Sequence, residues 1–225
     1  GWLEPMLQLF GHSGLNAGIV GNVQYAVATG ALDHAGIFFD AHAKPAHLRT
    51  LPDTRRAYHE VAAATGACVV LRRDVFQQLG GFDEVYRNGG EDVDLCLRLR
   101  RHGLRQYVAL TSAIRHHVSA SVNRKLRDEE NTCRLVRTWR DEIATLAAPA
   151  WCRHYLRECW DAHATPRPEL LLDVARFLRH PDVPPPPRVI AAVQEVIDRQ
   201  LAHWEFAFAG KPGLPVGHPH AISII

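Results

Sequence analysis

An acidic pair, Glu91-Asp92, stands between a glycine-rich stretch, Arg87-Asn88-Gly89-Gly90, and a segment with strong helical character. An ionised carboxylate in that position can accept a proton from a hydroxyl group, a step worth typically about 10²–10⁴-fold in rate. The glycines before it let a ligand come close to the backbone. A histidine pair, His116-His117, follows at the end of a short apolar stretch. Carboxylates beside a glycine-rich loop, with an imidazole returning from the next strand, suit a site that handles a hydroxyl and a metal-bound phosphate. A structural role fits the same acids. Acids in a first helical turn are favoured by the macrodipole, typically by about 0.3–1 kcal/mol. Arg98, Arg100 and Arg101 sit at the opposite end, and Asp94 and Arg98 are spaced to pair on the helix surface.

The elements that must position these groups are legible in outline. Trp2 to Phe10 reads as a short helix, and Ala17–Tyr25 and Ala35–Phe39 read as strands joined by a turn around Gly30. Asp40 to His59 is polar, with two prolines, three histidines and three arginines, and reads as a long loop. Gly66–Leu71 reads as a buried strand. Asp74 is placed to cap a short helix over Val75–Leu79, which Gly80-Gly81 ends. Glu91–His102 reads as a helix stopped by Gly103, and Gln106–Leu110 and Ala113–His116 as two short strands. Strands alternating with helices predict an α/β sheet.

After Ser121 the pattern becomes helical throughout. A long helix is predicted over Asn123–Ala148, then Trp151–His163 and Glu169–Arg179 as helices broken by prolines. Pro184–Pro187 reads as a stiff spacer before a final helix, Val189–Phe208, and a loosely held tail, Lys211–Ile225. Trp139, Trp151, Trp160 and Trp204 recur at helical spacing and read as core. The predicted organisation is therefore an α/β region over residues 1–122 and a helical extension over 123–225.

Composition narrows the function. Of 225 residues, 47% are hydrophobic and 22% charged, which is ordinary for a globular chain. A formal net charge of +2, with basic and acidic residues interspersed, argues against nucleic acid as a partner. No apolar run reaches the length of a membrane span. Five cysteines without CxxC spacing read as free thiols in a reducing compartment, which argues against a zinc site. His34, His42, His47 and His59 flank the long loop with no standard metal spacing and read as solvated.

Several pieces resemble a known family in order and spacing: Gly66-Ala67-Cys68 leading to Arg72-Arg73, Gly80-Gly81-Phe82-Asp83-Glu84, Glu91-Asp92-Val93-Asp94-Leu95, and His116-His117-Val118-Ser119-Ala120-Ser121. Fainter matches lie at Gly1-Trp2-Leu3-Glu4, Gly18-Ile19-Val20-Gly21 and His34-Ala35-Gly36. Together they resemble the C-terminal half of the inverting family 2 glycosyltransferases of GT-A fold, over roughly residues 1–122. The resemblance implies a partial GT-A-like sheet flanked by helices, followed by the helical extension. It implies transfer of a sugar from a nucleotide-sugar donor to a hydroxyl of a glycan, lipid-linked or protein acceptor. Asp92 would be the general base and Glu91 a positioning or acceptor-binding neighbour. Gly66, Ala67, Gly90 and Asp83 would line the substrate site, and His116 would lie by the metal and diphosphate. Arg55 and Arg56 are further candidates for reaching the diphosphate.

The family's nucleotide-binding half ends in an Asp-X-Asp motif that holds the metal and donor, and no such motif occurs in the right place here. A divalent metal, Mn²⁺ or Mg²⁺, is expected only with that upstream motif. The chain opens at Gly1-Trp2, where the family sequence lies just past it, so the resemblance predicts a fragment that supplies the base and acceptor side. The full-length protein is expected to be cytoplasmic, peripheral at the membrane. The competing expectation is a truncated or degenerate module that binds or assembles without catalysis.

Overall fold

The computed structural model describes residues 1–51, 55–87, 89–117 and 128–209. The chain divides into two compact units, one formed by residues 1–40 and 44–131, the other by residues 41–43 and 132–225.

The first unit is built on β1 (Ala17–Ala26), whose residues Gly18 to Gln24 are all buried. On one side β1 pairs in parallel with β7 (Arg105–His116), and β7 carries β5 (Tyr58–Val61) antiparallel on its far edge. The other side of β1 is shared. Residues Ile19 to Gly21 pair with β6 (Val69–Leu71), and Gln24 and Tyr25 pair with β2 (Leu32–His34), both antiparallel. Both faces of β1 are buried along this stretch, and its sequence is apolar apart from Asn22 and Gln24. A separate two-stranded ribbon joins β3 (Ile37–Phe39) to β4 (Pro45–His47).

Among the described residues, three α-helices lie wholly within this unit. Helix α1 (Glu4–Gln8) runs into a 3₁₀ turn (Leu9–Gly11), and its buried Met6 packs with Leu9, Val20, Tyr107 and Ala109. Helix α2 (Arg73–Gln78) is short. Helix α3 (Glu91–Arg101) has three acids in its first turn and three arginines in its last, complementary to the macrodipole at both ends. Val93, Leu95, Cys96, Leu97 and Leu99 of α3 are all buried.

Several expectations need correcting. Residues 35–39 do not form one strand: the chain turns at Gly36 (φ 122°), where a Cβ would meet Val61 Cγ1 at 2.4 Å, so β2 and β3 enter different sheets. The polar stretch 40–59 is not all loop, since it contains β4 and the start of β5. Only Val69–Leu71 of the segment 66–71 is a strand, and it is half-buried. Asp74 is not the cap, because the helix already begins at Arg73 with Arg72 as its N-cap; the Asp74 carboxylate accepts Arg72 Nε at 3.1 Å. The two strands expected over 106–116 are one, interrupted where the register jumps from Asn22↔Ala109 to Val23↔Ala113. At that irregularity the Ser112 hydroxyl donates to the Trp2 carbonyl.

The expected long helix is two, α4 (Asp128–Thr138) and, in the second unit, α5 (Arg140–Trp160), separated at Trp139, whose backbone leaves the helical region (φ −114°, ψ 28°). Residues 123–127 of that expectation lie outside the described residues. Helix α5 passes through Pro149 without a break, so 151–163 is not a separate helix. Its buried residues Ile143, Ala144, Ala147, Ala148, Trp151 and Cys152 recur on one face, and helices α6 (Pro168–Arg179) and α7 (Pro187–Phe208) pack against α5 and each other. Pro186 keeps an extended backbone (φ −59°, ψ 150°) before α7 starts at Pro187. Trp139, Trp151 and Trp204 are core, whereas Trp160 is 90% exposed at the end of α5 and is not. The expected tail over 211–225 lies outside the described residues. Among the described residues, no helix is long and apolar enough to cross a membrane.

Candidate active site

Asp92 lies in the first turn of α3, two residues after Gly90, which holds a left-handed backbone (φ 95°) at the helix N-cap. That conformation and the closeness of the Tyr86 ring, 3.0 Å from where a Cβ would stand, both demand glycine. The Asp92 carboxylate is gripped from two directions. Oδ1 accepts the Val93 amide at 2.8 Å, and Oδ2 accepts the Gly66 amide at 2.8 Å. Charge-assisted bonds of this kind are about twice as strong as neutral ones. Gly66 and Ala67 are both exposed, so the carboxylate is anchored at a surface from which a ligand can reach it.

Glu91 is half-buried, and its Oε2 is buried without a hydrogen-bond partner. Asp83 lies in the loop between α2 and α3, where Oδ1 accepts the Val85 amide at 3.0 Å. The structure thus brings Gly66, Gly90, Glu91 and Asp92 together around one helix N-terminus. Arg55 and Arg56 are exposed.

His116 ends β7 opposite Ala26 of β1. Its Nε2 lies 3.8 Å from Asp33 Oδ2, and its Nδ1 is buried without a partner. Asp33 belongs to β2 and was not singled out by the sequence. Among the described residues, no three His, Cys, Asp or Glu side chains converge as a metal ion requires. His116 and Asp33 alone therefore do not make a metal centre. His117 is exposed, and the remainder of its motif, Val118 to Ser121, lies outside the described residues.

The histidines expected to be solvated are not all so. His34 is fully buried on β2, opposite the equally buried Gln24. The His47 ring meets the His34 ring edge-on at 4.9 Å, and His34 Nε2 accepts the Thr65 amide at 3.5 Å. Burial, reinforced by the neighbouring His47, His116 and His59, pushes the His34 pKa down to about 3. His59 donates to the Ala35 carbonyl at 2.7 Å, and burial lowers its pKa as well. Of the four, His42 is exposed. The alternation of β1 holds the missed signal: Asn22 and Gln24 are polar residues on a buried face, which requires polar partners opposite.

A family model described as "Glycosyltransferase like family 2" matches residues 3–133. The chain belongs to that family. The matched region holds all of β1 to β7 and the site around Asp92, and the α/β unit is accordingly GT-A-like. Among curated relatives of this family 2 chain, O-antigen biosynthesis protein RfbC of Myxococcus xanthus is 51% identical over 59 residues, 26% of this chain and 5% of that protein. An N-acetylglucosaminyl-diphospho-decaprenol L-rhamnosyltransferase of Mycobacterium tuberculosis is 40% identical over 60 residues, 27% of this chain and 20% of that enzyme. Uncharacterized protein y4gI of Sinorhizobium fredii is 28% identical over 171 residues, 72% of this chain and 17% of that protein. The chain thus spans 20% or less of the length of these relatives.

Proposed function

We propose that this chain forms the acceptor side of an inverting glycosyltransferase, with Asp92 as the general base. The observation that carries the reading is the double anchoring of Asp92 by the Gly66 and Val93 amides at an exposed edge. Two donors fix the carboxylate's direction while leaving lone pairs for an incoming hydroxyl, since an ionised carboxylate has about four acceptor positions. In the reaction the acceptor O–H gives its proton to Asp92 as its oxygen forms the new bond to C1 of the donor sugar. The bond from C1 to the diphosphate oxygen breaks on the opposite face, and the nucleoside diphosphate leaves with that electron pair. Attack opposite to departure inverts the anomeric centre.

Glu91 is proposed as the positioning or acceptor-binding neighbour of Asp92 in the first turn of α3. Gly66, Ala67, Gly90 and Asp83 are the proposed substrate contacts. The donor is a nucleotide sugar and the acceptor a glycan, a lipid-linked sugar or a protein hydroxyl. The names of the O-antigen and rhamnosyltransferase relatives favour a bacterial surface polysaccharide. A divalent ion belongs to this reading only with carboxylates from the family's nucleotide-binding half, with His116 beside it, and we assign no step to it. Five free cysteines and the need for a nucleotide sugar fit a cytoplasmic setting at the membrane surface.

The test is product stereochemistry. The full-length protein is incubated with UDP-glucose, UDP-N-acetylglucosamine or dTDP-rhamnose and a short-chain lipid diphospho-N-acetylglucosamine, and the new linkage is read by NMR. Inverted product supports the reading, and retained configuration overturns it. No transfer by the folded protein favours a non-catalytic binding module, a reading that the lack of a complete metal centre among the described residues also suits.

A further inference from the structure

Arg98 of α3 joins two elements. Its Nε donates to Asp94 Oδ2 at 2.8 Å, one turn back on the same helix, and its Nη1 donates to the Leu79 carbonyl at 2.7 Å. Leu79 is the residue that closes α2. Asp94 is 4% exposed, so the pair is not the surface pair that its spacing suggested. Nη2 of Arg98 is buried and makes no hydrogen bond. Replacing a buried ion pair by well-packed apolar groups is often neutral or stabilising. Stability alone is therefore a poor reason for this arrangement, and geometry is a better one.

The chain leaves Leu79 through Gly80-Gly81, passes Asp83 and Tyr86, and returns through Gly90 to the start of α3. Both ends of this loop are consequently tied to one helix, covalently at Gly90 and through Arg98 at Leu79. Inner contacts stiffen its described part. Tyr86 is 6% exposed with its ring against Gly90, Asn131 Nδ2 donates to the Arg87 carbonyl at 2.9 Å, and the Tyr86 amide donates to the Asp83 carbonyl at 3.2 Å. A carbonyl at a helix end otherwise turns to water or a cap. Here it is taken by a guanidinium whose other arm is held by Asp94.

We propose that Arg98 is a positioning residue: through the Leu79 carbonyl it makes residues 79–87 and the helix bearing Asp92 a single body, which sets where the acceptor sits relative to the base. The inference rests on the reading of Asp92 given above. The planar guanidinium serves both acceptors at once through two different nitrogens. Lysine keeps the charge beside Asp94 but offers one flexible ammonium. Misplacement by about 1 Å far from the chemistry costs up to about 100-fold in rate.

The test compares wild type with Arg98→Lys and Arg98→Met in the full-length protein. Amide hydrogen exchange is followed over residues 79–87, and kinetics use the three nucleotide sugars and the lipid diphospho-N-acetylglucosamine named above. The expected result for Arg98→Lys is a melting temperature close to wild type, with loop amides exchanging at least about 10-fold faster while α3 stays protected. The acceptor KM rises about 10-fold and the donor KM stays unchanged. Arg98→Met shows the same kinetic split, whatever its stability. Unchanged loop exchange in Arg98→Lys overturns the proposal, and so does faster exchange with an unchanged acceptor KM. If wild type transfers no sugar, the proposed activity fails, and the exchange result still decides whether Arg98 ties the loop to α3.

Discussion

The Gly66 amide donates to Oδ2 of Asp92 at 2.8 Å, across a separation of 26 residues. The carboxylate is thus oriented by a segment outside its own helix, and its direction depends on the turn that precedes β6. A hydrogen bond to a charged group is worth about 1.5–3 kcal/mol. Gly66→Pro removes the donor. It is expected to lower kcat by about 10- to 100-fold in a protein that still folds. Gly66→Ala keeps the amide, and its Cβ would stand 3.5 Å from Asp92 Cβ, an ordinary contact, so its activity should stay near wild type. Steady-state kinetics of the two variants, with circular dichroism as the check on folding, decide the point.

His34 makes stability depend on pH. Its pKa falls from 6.5 when unfolded to about 3 when folded, because burial disfavours the charged ring. Above pH 6.5 the ring is neutral in both states and the full stability is present. As pH falls below 6.5 the unfolded chain takes up a proton that the folded chain refuses, so stability is lost down to about pH 3. Denaturant unfolding between pH 7 and pH 5 should show this decline, and His34→Gln should flatten it. A slope unchanged by the substitution would assign the effect to other groups.

Gly36 turns the chain from β2 into β3 at φ 122°, with Val61 Cγ1 2.4 Å from the place of a Cβ. Both strain and collision oppose any side chain. Gly36→Ala should destabilise the protein by about 2–4 kcal/mol, measured as a lower denaturation midpoint with an unchanged slope. A variant as stable as wild type would mean that the turn has another accessible geometry.

What could be read from the sequence was what local chemistry dictates. Glycine stops, acids and arginines at opposite helix ends, and the apolar run of β1 gave α3, α6, α7 and the central strand nearly to the residue. The errors fall where tertiary contacts override local pattern. Nothing in Ala35–Phe39 announces that Gly36 sends its two halves to different sheets, because the reason is Val61, far along the chain. Pro149 reads as a break, yet helix packing carries α5 through it. His34 looked like a loop histidine because its burial comes from pairing with Gln24 of β1. At the site, Glu91-Asp92 and its glycines were visible as a motif, while the Gly66 amide, the Asp33 neighbour of His116 and the reach of Arg98 to Leu79 are relations in space with no local signature.

The central claim is that Asp92 takes the acceptor proton, and Asp92→Asn tests it most directly. Asparagine keeps the size and can accept one of the two amides, from Gly66 or from Val93, through its single oxygen; circular dichroism checks that the fold survives the loss of the other, and the side chain cannot serve as a base at neutral pH. Nucleoside diphosphate release and acceptor glycosylation are measured for the full-length wild type and Asp92→Asn over the three nucleotide sugars. The account predicts that kcat falls by at least about 100-fold with donor KM unchanged. Equal turnover by the two proteins would contradict it and remove Asp92 from the reaction.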